Sequence, residues 1–294
     1  AVAFQGAVYV ADYKGNRIRA IKNGAVTTAA GGVYGLNNAK GAAAQFRHPS
    51  GMAVDKNTIL IADRDNHAIR RLDPATGAVT AVAGSGSKGL KDGSGGAAAF
   101  AGPEGITVAD TGVAYVADTQ NNRLRRLKQN GLVESITVGG IGFADGPGKV
   151  AKFAFPADVA AYKKQVYVAD TVNHAIRLFA TDSGTTSTLA GNKILGSADG
   201  KGKAARFNYP RSVAVNSKGV VFVADTGGHR LRRILPDGTV TTLAGTSAGY
   251  TDGPAEAALF SKPWGVAVDA AGALWIADSD NRRIRKYHLV PVEK

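Results

Sequence analysis

The sequence predicts an all-β fold: a six-bladed β-propeller of four-stranded antiparallel blades. Three observations lead to this prediction. A twelve-residue string recurs six times along the chain, a Phe-x-x-Pro marker recurs five times in a second register, and short apolar runs alternate with turn residues in every period. A fixed period of several tens of residues is the sequence mark of repeat architectures.

The recurring string contains an aspartate and, seven positions later, an arginine. Its copies read VYVADYKGNRIR, ILIADRDNHAIR, AYVADTQNNRLR, VYVADTVNHAIR, VFVADTGGHRLR and LWIADSDNRRIR. Successive aspartates are separated by 51, 55, 52, 55 and 53 residues. The six pairs are Asp12 with Arg19, Asp63 with Arg70, Asp118 with Arg125, Asp170 with Arg177, Asp225 with Arg232, and Asp278 with Arg285.

Each period also contains runs such as GVAVDAAG, ALWIAD and TVTTLAG, whose β-branched and aromatic residues are bounded by Gly, Asp and Asn turns. Such runs are typical of strands, and each period holds four of them. One four-stranded sheet with two apolar faces is unstable alone. Six sheets in a ring bury these faces against one another, so the repeats predict a propeller.

We interpret residues 1–294 as one domain with blades at roughly 1–32, 46–84, 100–140, 153–191, 207–245 and 260–294. The first copy begins within its innermost strand, and the last lacks the VTTLAG segment. We expect either Val290 to Lys294 or residues preceding Ala1 to supply the outer strand of blade 6. The absence of an initiating methionine fits a processed or excised segment.

The strings P-x-G-[IV]-A-V-D, V-Y-V-A-D-T-x-N-x-R-[IL]-R and G-x-V-T-T-L-A-G resemble the NHL repeat family of β-propellers, over nearly the whole chain. The resemblance implies a six-bladed fold with a binding surface on its top face, where loops lead into the innermost strands. It implies no single activity, because the family's scaffold is shared by peptide-amidating lyases, RNA-binding regulators and protein-interaction modules.

Composition excludes several classes of protein. Hydrophobic residues make up 44% and charged residues 20%, which predicts a globular protein rather than a disordered one. No apolar run is long enough to span a membrane, so we expect a soluble monomer without a transmembrane segment. The chain has 0 cysteines, which excludes disulfides, thiolate metal sites and cysteine nucleophiles. Composition assigns no compartment.

The sixfold repetition of the Asp–Arg pairs indicates architecture, because a catalytic or phosphate-binding group is needed only once. We predict that each pair meets across a hairpin and ties the turn together. The linker acids Asp92, Asp145, Asp199 and Asp252, with Asn38 in the first linker, are expected to bond to their own backbone in ordered loops. His67, His174 and His229 share one turn position, which predicts a structural role rather than a converging metal site.

Function is expected where the repeat is broken at the channel mouth. The residues just after each Phe-x-x-Pro proline differ in every blade, and we predict that they line the mouth: Ser50, Glu104, Asp158 beside Ala157, Arg211 and Trp264. The residues just before the prolines, His48, Phe155, Tyr209 and Lys262, are predicted to form an outer ring. Glu104 and Asp158 would accept an ammonium group or bind a cation, Arg211 would pair with a carboxylate, and Trp264 would supply an apolar wall.

The sequence therefore favours a non-enzymatic module that binds a peptide, a protein or a small polar ligand at the mouth without a cofactor. An alternative is an RNA or polyanion binder, since 36 basic and 23 acidic residues give a net charge of +13. Its outward-facing cations, such as Arg71, Arg126, Arg233 and Lys286, are expected to be dispersed over the blades. A second alternative is a metal-dependent lactonase or lyase, for which Glu104 and Asp158 would offer two carboxylates.

Overall fold

The protein folds as a ring of six small antiparallel β-sheets, which confirms the predicted six-bladed β-propeller. The computed structural model describes residues 1–289. In each sheet, strands that follow one another in the main repeat are neighbours, so every blade is a meander that runs outward from the channel. The innermost strands contact one another around the ring and surround the channel.

The strands of each blade occupy equivalent places in the repeat. The innermost strands are Val2–Phe4, Pro49–Asp55, Pro103–Val108, Pro156–Tyr162, Pro210–Val215 and Pro263–Val268. The second strands are Ala7–Asp12, Thr58–Asp63, Ala114–Asp118, Gln165–Asp170, Val221–Asp225 and Leu274–Asp278. The third strands are Arg17–Lys22, Ala68–Leu72, Arg123–Leu127, Ala175–Ala180, Arg230–Ile234 and Arg283–Tyr287. The fourth strands of blades 1 to 5 are Ala25–Gly31, Val79–Ala83, Leu132–Ser135, Thr185–Gly191 and Thr239–Ala244.

Short elements decorate this framework. Blades 3, 4 and 5 gain a fifth, two-residue strand from the preceding linker: Gly93–Ser94, Gly146–Pro147 and Gly200–Lys201. The first linker forms a parallel pair, Val33–Tyr34 with Gln45–Phe46. Single 3₁₀ turns are Gly41–Ala43, Arg64–Asn66, Gly95–Ala97, Thr119–Asn121, Thr171–Asn173, Gly202–Ala204 and Thr226–Gly228. Blade 6 has three strands in the part of the chain that the structure describes, and the predicted strand from Val290 to Lys294 lies outside it.

Apolar layers between consecutive blades form the core. Five buried clusters join blades 1 and 2, 2 and 3, 3 and 4, 4 and 5, and 5 and 6. The phenylalanine of each Phe-x-x-Pro marker lies in one of these layers and is at most 2% exposed. Both faces of blades 2 to 5 are therefore buried, which is why their strands read as continuous apolar runs.

A buried arginine clasp connects each of blades 2 to 6 to the linker that precedes it. In blade 3, Nη1 of Arg125 donates to Oδ2 of Asp118 over 2.7 Å, and Nη2 donates to Oδ1 of Asp92 over 2.8 Å. The same guanidinium donates to two main-chain carbonyls of the linker. Arg125 and Asp118 are both fully buried, so a charged pair replaces the solvation that each ion loses.

The other clasps repeat this geometry. The carboxylate–guanidinium distances are 2.8 Å for Asp63–Arg70, 2.7 Å for Asp170–Arg177, 3.0 Å for Asp225–Arg232 and 3.1 Å for Asp278–Arg285. Each guanidinium also lies 4.6 to 5.4 Å from the ring centre of the marker phenylalanine. The clasp therefore joins the second strand, the third strand, the linker and the apolar layer.

The linker acids have a partner that the sequence did not suggest. Instead of closing a turn on its own backbone, Asp92 accepts from Arg125 and from the hydroxyl of Ser135 on the outer strand. Asn38, Asp145, Asp199 and Asp252 bind their clasp arginines in the same way. These bonds hold the linkers against the blades. The linkers are therefore ordered by the clasp arginines rather than by bonds of the linker acids to their own backbone.

Blade 1 differs from the prediction. Asp12 pairs with Nε of Arg17 over 2.7 Å, whereas Arg19 donates to the hydroxyl of Thr28. In blades 2 to 6 the arginine seven positions after the aspartate binds it, whereas in blade 1 the nearer Arg17 binds the carboxylate at a half-exposed site.

The repeated turn residue links each blade to the next. His67 adopts φ 51°, and its Nδ1 accepts the N–H of Gly102 in blade 3 over 3.0 Å. In the same way, His174 accepts the N–H of Tyr209 and His229 accepts the N–H of Lys262. In blades 1 and 3 an amide oxygen replaces the imidazole: Asn16 accepts the N–H of His48, and Asn122 accepts the N–H of Phe155. These bonds account for the histidines as interblade contacts.

The clasp predicts a large difference between two chemically identical substitutions. Asp63→Asn leaves the fully buried guanidinium of Arg70 without a counter-ion, because its linker partner is the neutral Asn38, so we expect a loss of about 3 to 5 kcal/mol in the free energy of unfolding. Asp12→Asn removes a half-exposed pair and is expected to cost at most about 1 kcal/mol. Urea unfolding of both variants measures these losses. Equal losses would contradict the role assigned to the clasp.

The interblade histidines predict a pH dependence of stability. Burial lowers the pKa of His67 and of His174, so the unfolded chain binds protons more readily than the folded one. The contribution of these two histidines to stability should therefore be complete above pH ~6.5, the ordinary histidine pKa, and be lost as the pH drops below it.

The double variant His67→Asn with His174→Asn keeps the acceptor found in blades 1 and 3, and asparagine tolerates this left-handed backbone. Its melting temperature should fall less than that of the parent between neutral and mildly acidic pH. Parallel pH profiles would show that the imidazoles do not titrate in this window.

Candidate binding site at the channel mouth

One cavity lies at the channel end where the innermost strands of blades 2 to 6 begin. It has a volume of about 270 Å³, and its lining includes all five residues predicted for the mouth: Ser50, Glu104, Asp158, Arg211 and Trp264. They come from five different blades. The repeat therefore brings together, at a single opening, residues that are far apart in sequence.

Gly51 and Gly105 allow the innermost strands to approach one another here. A Cβ at Gly51 would collide with the carbonyl oxygen of Glu104, and one at Gly105 with the backbone of Asp158. Close contact between neighbouring blades therefore requires glycine at these two positions, 51 and 105. The hydroxyl of Ser50 adds a bond across the same junction, 2.8 Å from the Glu104 carbonyl oxygen.

Glu104 is bound by two arginines. Its Oε1 accepts from Nε of Arg64 over 2.9 Å, and its Oε2 accepts from Nη2 of Arg211 over 2.7 Å. Glu104 is 11% exposed, whereas Arg64 and Arg211 are 23% and 28% exposed. The carboxylate therefore positions two guanidinium groups whose remaining N–H donors border the cavity.

Aromatic rings form one side of the mouth. The guanidinium of Arg211 lies 4.3 Å from the ring centre of Trp264. The rings of Trp264 and Tyr13 meet edge to face, with their centres 6.1 Å apart. Tyr13 stacks on His48 at 4.4 Å, and Nδ1 of His48 is 2.6 Å from Oδ2 of Asp65. Although burial opposes the shift, the bonds to His48 and Arg64 hold the pKa of Asp65 below its usual value.

Asp158 lines the cavity, but its carboxylate bonds to the next blade. Its Oδ2 accepts from the hydroxyl of Ser212 over 2.7 Å and from the N–H of Val213 over 3.1 Å. Burial raises the pKa of Asp158 to about 6, and the bond from Ser212 opposes this rise. Asp158 occupies the glycine place of P-x-G rather than the variable place, which Ala157 takes in blade 4.

The predicted outer ring is only partly at the cavity. His48 supports Tyr13 there, whereas Tyr209 packs against His174 at 4.5 Å and Lys262 pairs with Asp280 at 3.3 Å. Phe155 is 42% exposed beside blade 4. All four predicted outer-ring side chains are absent from the cavity lining, and only His48 contacts a residue that lines it, Tyr13.

Sequence reasoning missed Tyr13 and Arg64. Both follow the repeat aspartate, a place that holds Thr119, Thr171, Thr226 or Ser279 in the other blades. The three threonines donate to the proline carbonyl of the next blade. The rule that selected the mouth residues, departure from the repeat, would also have selected Tyr13 and Arg64 at this second place.

The described residues contain no group of three or more His, Asp or Glu side chains arranged to hold a metal ion. The two carboxylates proposed as metal ligands already accept hydrogen bonds, Glu104 from two arginines and Asp158 from Ser212. Among residues 1–289, no helix is long and apolar enough to cross a membrane.

These features define the class of the protein as a six-bladed β-propeller with a polar and aromatic cavity at one end of its channel. The NHL repeat pattern matches residues 46–72, 100–127, 207–234 and 260–287. Together with the ring of six blades, these matches show that the chain belongs to the NHL-repeat β-propeller family.

Curated relatives resemble the chain over most of its length. It is 28% identical over 271 residues to Protein SUPPRESSOR OF QUENCHING 1, chloroplastic, of Arabidopsis thaliana, covering 84% of this chain and 25% of that protein. It is 26% identical over 323 residues to NHL repeat-containing protein 2 of Homo sapiens, covering 95% of this chain and 44% of that protein. The chain thus spans less than half the length of these relatives.

Among solved structures, an auxiliary nutrient binding protein from Bacteroides thetaiotaomicron is similar in fold. It superposes with a TM-score of 0.72 and 18% identity, and the match covers 96% of this chain and 66% of that one. A streptogramin B lyase superposes with a TM-score of 0.61 and 14% identity, covering 97% of this chain and 91% of that one. At this level of identity the likeness shows the shared fold alone.

The geometry at Glu104 predicts a stability effect of the mouth itself. Glu104→Gln weakens two charge-assisted hydrogen bonds and leaves two arginines close together, so unfolding should become easier by about 1.5 to 3 kcal/mol. Glu134 also binds two cations, Arg126 and Lys128, but is 30% exposed. Glu134→Gln is therefore the matched control, with an expected effect within about 1 kcal/mol by denaturant titration. If Glu104→Gln left the free energy of unfolding unchanged, the ion pairs would not order the mouth.

Proposed function

We propose that this propeller is a non-catalytic binding module that holds a small carboxylate-bearing ligand, such as the C-terminal end of a peptide, at the channel mouth. The observation behind the proposal is the convergence of five repeat-breaking residues from five blades on one cavity of about 270 Å³. Concave sites with a few convergent polar groups and an aromatic wall are typical of small-ligand binding.

The arginines support an anionic group on the ligand. Nη2 of Arg211 and Nε and Nη1 of Arg64 are used within the protein, which leaves other donors of both forks for a carboxylate. The face of Trp264 and the ring of Tyr13 offer apolar surface beside them. A carboxylate next to a flat or apolar group matches this arrangement in charge and in shape.

The internal bonds of the carboxylates favour binding over catalysis. Glu104 is fixed as a counter-ion, and Asp158 accepts from Ser212 and two main-chain N–H groups. A general base or a metal ligand would need a carboxylate that is free to face the substrate. The sequence also predicted that Glu104 and Asp158 would bind an ammonium group of the ligand. This is likewise disfavoured, since both carboxylates already accept hydrogen bonds within the protein.

Binding of a polyanion is less well supported. The outward-facing cations of the third strands are partly neutralised on their own blades, as in the pairs Arg71–Asp55 at 2.9 Å and Arg126–Glu134 at 2.7 Å. The remaining positive charge contributes to long-range attraction of a polyanion. Salt dependence separates this alternative from a mouth ligand.

Isothermal titration calorimetry with a short peptide that ends in phenylalanine tests the proposal. The free acid should bind at least about tenfold more tightly than its C-terminal amide, because a charge-assisted bond contributes about 1.5 to 3 kcal/mol. Arg211→Gln should abolish this preference, whereas the matched control Arg126→Gln should keep it. Affinity should change by less than about tenfold between ~50 and ~200 mM salt.

Equal affinities for acid and amide would contradict a carboxylate site. Binding of poly(U) that falls by about 10³ to 10⁵ over the same salt range would favour the polyanion alternative.

A further inference from the structure

A second surface lies on the same face, away from the mouth. Six large apolar side chains on the loops of blades 4 and 5 are 42% to 61% exposed. We call them the apolar patch: Ile141, Phe155, Val172, Ile194, Leu195 and Tyr209.

The loops that carry the patch are fastened to one another. The N–H of Val172 donates to the carbonyl of Ala154 over 3.1 Å, next to Phe155. The amide of Asn173 donates to the carbonyl of Gly142 over 2.7 Å, next to Ile141. His174 then connects blade 4 to blade 5, because its Nδ1 accepts the N–H of Tyr209. The patch is therefore one ordered surface rather than six unrelated side chains.

The patch appears where these blades depart from the repeat. The residue before the marker proline is His48, Gly102 or Lys262 elsewhere, but Phe155 and Tyr209 in blades 4 and 5. The second residue after the repeat aspartate is Lys14, Asp65, Gln120, Gly227 or Asp280 elsewhere, but Val172 in blade 4. No clasp or interblade bond uses these apolar side chains, so architecture does not require them.

The charge around the patch is positive. Three exposed cations of segments 141–152 and 192–206 lie beside the patch: the Lys152 side chain packs against Gly142, the Arg206 side chain packs against Gly196, and Lys193 adjoins Ile194. The two acids of these segments, Asp145 and Asp199, bind the clasp arginines. Within residues 1–289, none of these three cations forms an ion pair. By contrast, the equivalent segment before blade 6, residues 246–259, contains two acids and no cation.

We propose that the apolar patch is a docking surface for an acidic protein segment that also carries apolar residues. Burial of the six side chains would supply affinity, and Lys152, Lys193 and Arg206 would select a negatively charged partner. The side chains are about half-exposed, so they lie level with the surface rather than projecting from it. This shape suits a partner that covers the surface better than insertion into a lipid bilayer.

Selection from a displayed library of random peptides tests the proposal on the whole chain. Recovered peptides should be enriched in Asp and Glu together with Leu, Ile or Phe. Their affinity should fall at least tenfold in the variant Ile194→Ser with Leu195→Ser, and also in Lys152→Glu with Arg206→Glu. The matched controls are Leu90→Ser, at a side chain of similar exposure, 44%, and Lys88→Glu with Lys91→Glu in another linker. Both controls should bind like the parent.

The mouth variant Arg211→Gln separates this proposal from the function proposed above, because it should leave binding at the patch unchanged. Selected peptides without acidic enrichment, or peptides insensitive to both patch variants, would overturn the proposal. Binding to phosphatidylserine vesicles that the patch variants abolish, with no peptide recovered, would assign the surface to membranes instead. Circular dichroism of each variant confirms that the fold is kept.

Discussion

The arginine clasp is the interaction on which the ring depends. In each of blades 2 to 6, a guanidinium that is at most 9% exposed binds the aspartate at the end of the second strand and the acid or asparagine of the preceding linker. A buried ion pair adds little stability compared with apolar residues of the same volume, but losing one partner is costly. The clasp therefore specifies where each linker lies, while the apolar layers supply most of the stability.

This division explains how much of the fold was predictable. Strand runs, the sixfold period and the buried Phe-x-x-Pro residues are local signals, and all of them appear in the structure. The second acid of the clasp was not predictable, because Asp92 and Arg125 lie 33 positions apart and meet only after the linker folds back. In blade 1 the predicted pair of Asp12 with Arg19 was wrong, because Asp12 binds Arg17 instead.

The mouth was predictable in position more than in chemistry. Repetition fixes the place that faces the channel, so the five predicted residues meet at one cavity. It does not fix which way a carboxylate turns. Successive side chains on a strand point to opposite sides, and Asp158, one place after the variable position, bonds to Ser212 of the next blade. The ion pair between Arg64 and Glu104 could not be predicted from the sequence, because the two residues belong to different blades.

The two candidate surfaces follow from the same constraint. The clasp and the interblade bonds of Asn16, His67, Asn122, His174 and His229 use main-chain groups and repeated side chains. The side chains just before and after each marker proline, and after each repeat aspartate, take no part in the clasps. Residues there differ between blades without disturbing the ring. A polar, aromatic mouth lined by residues of all six blades and an apolar, basic patch at blades 4 and 5 therefore occupy one face of a single scaffold.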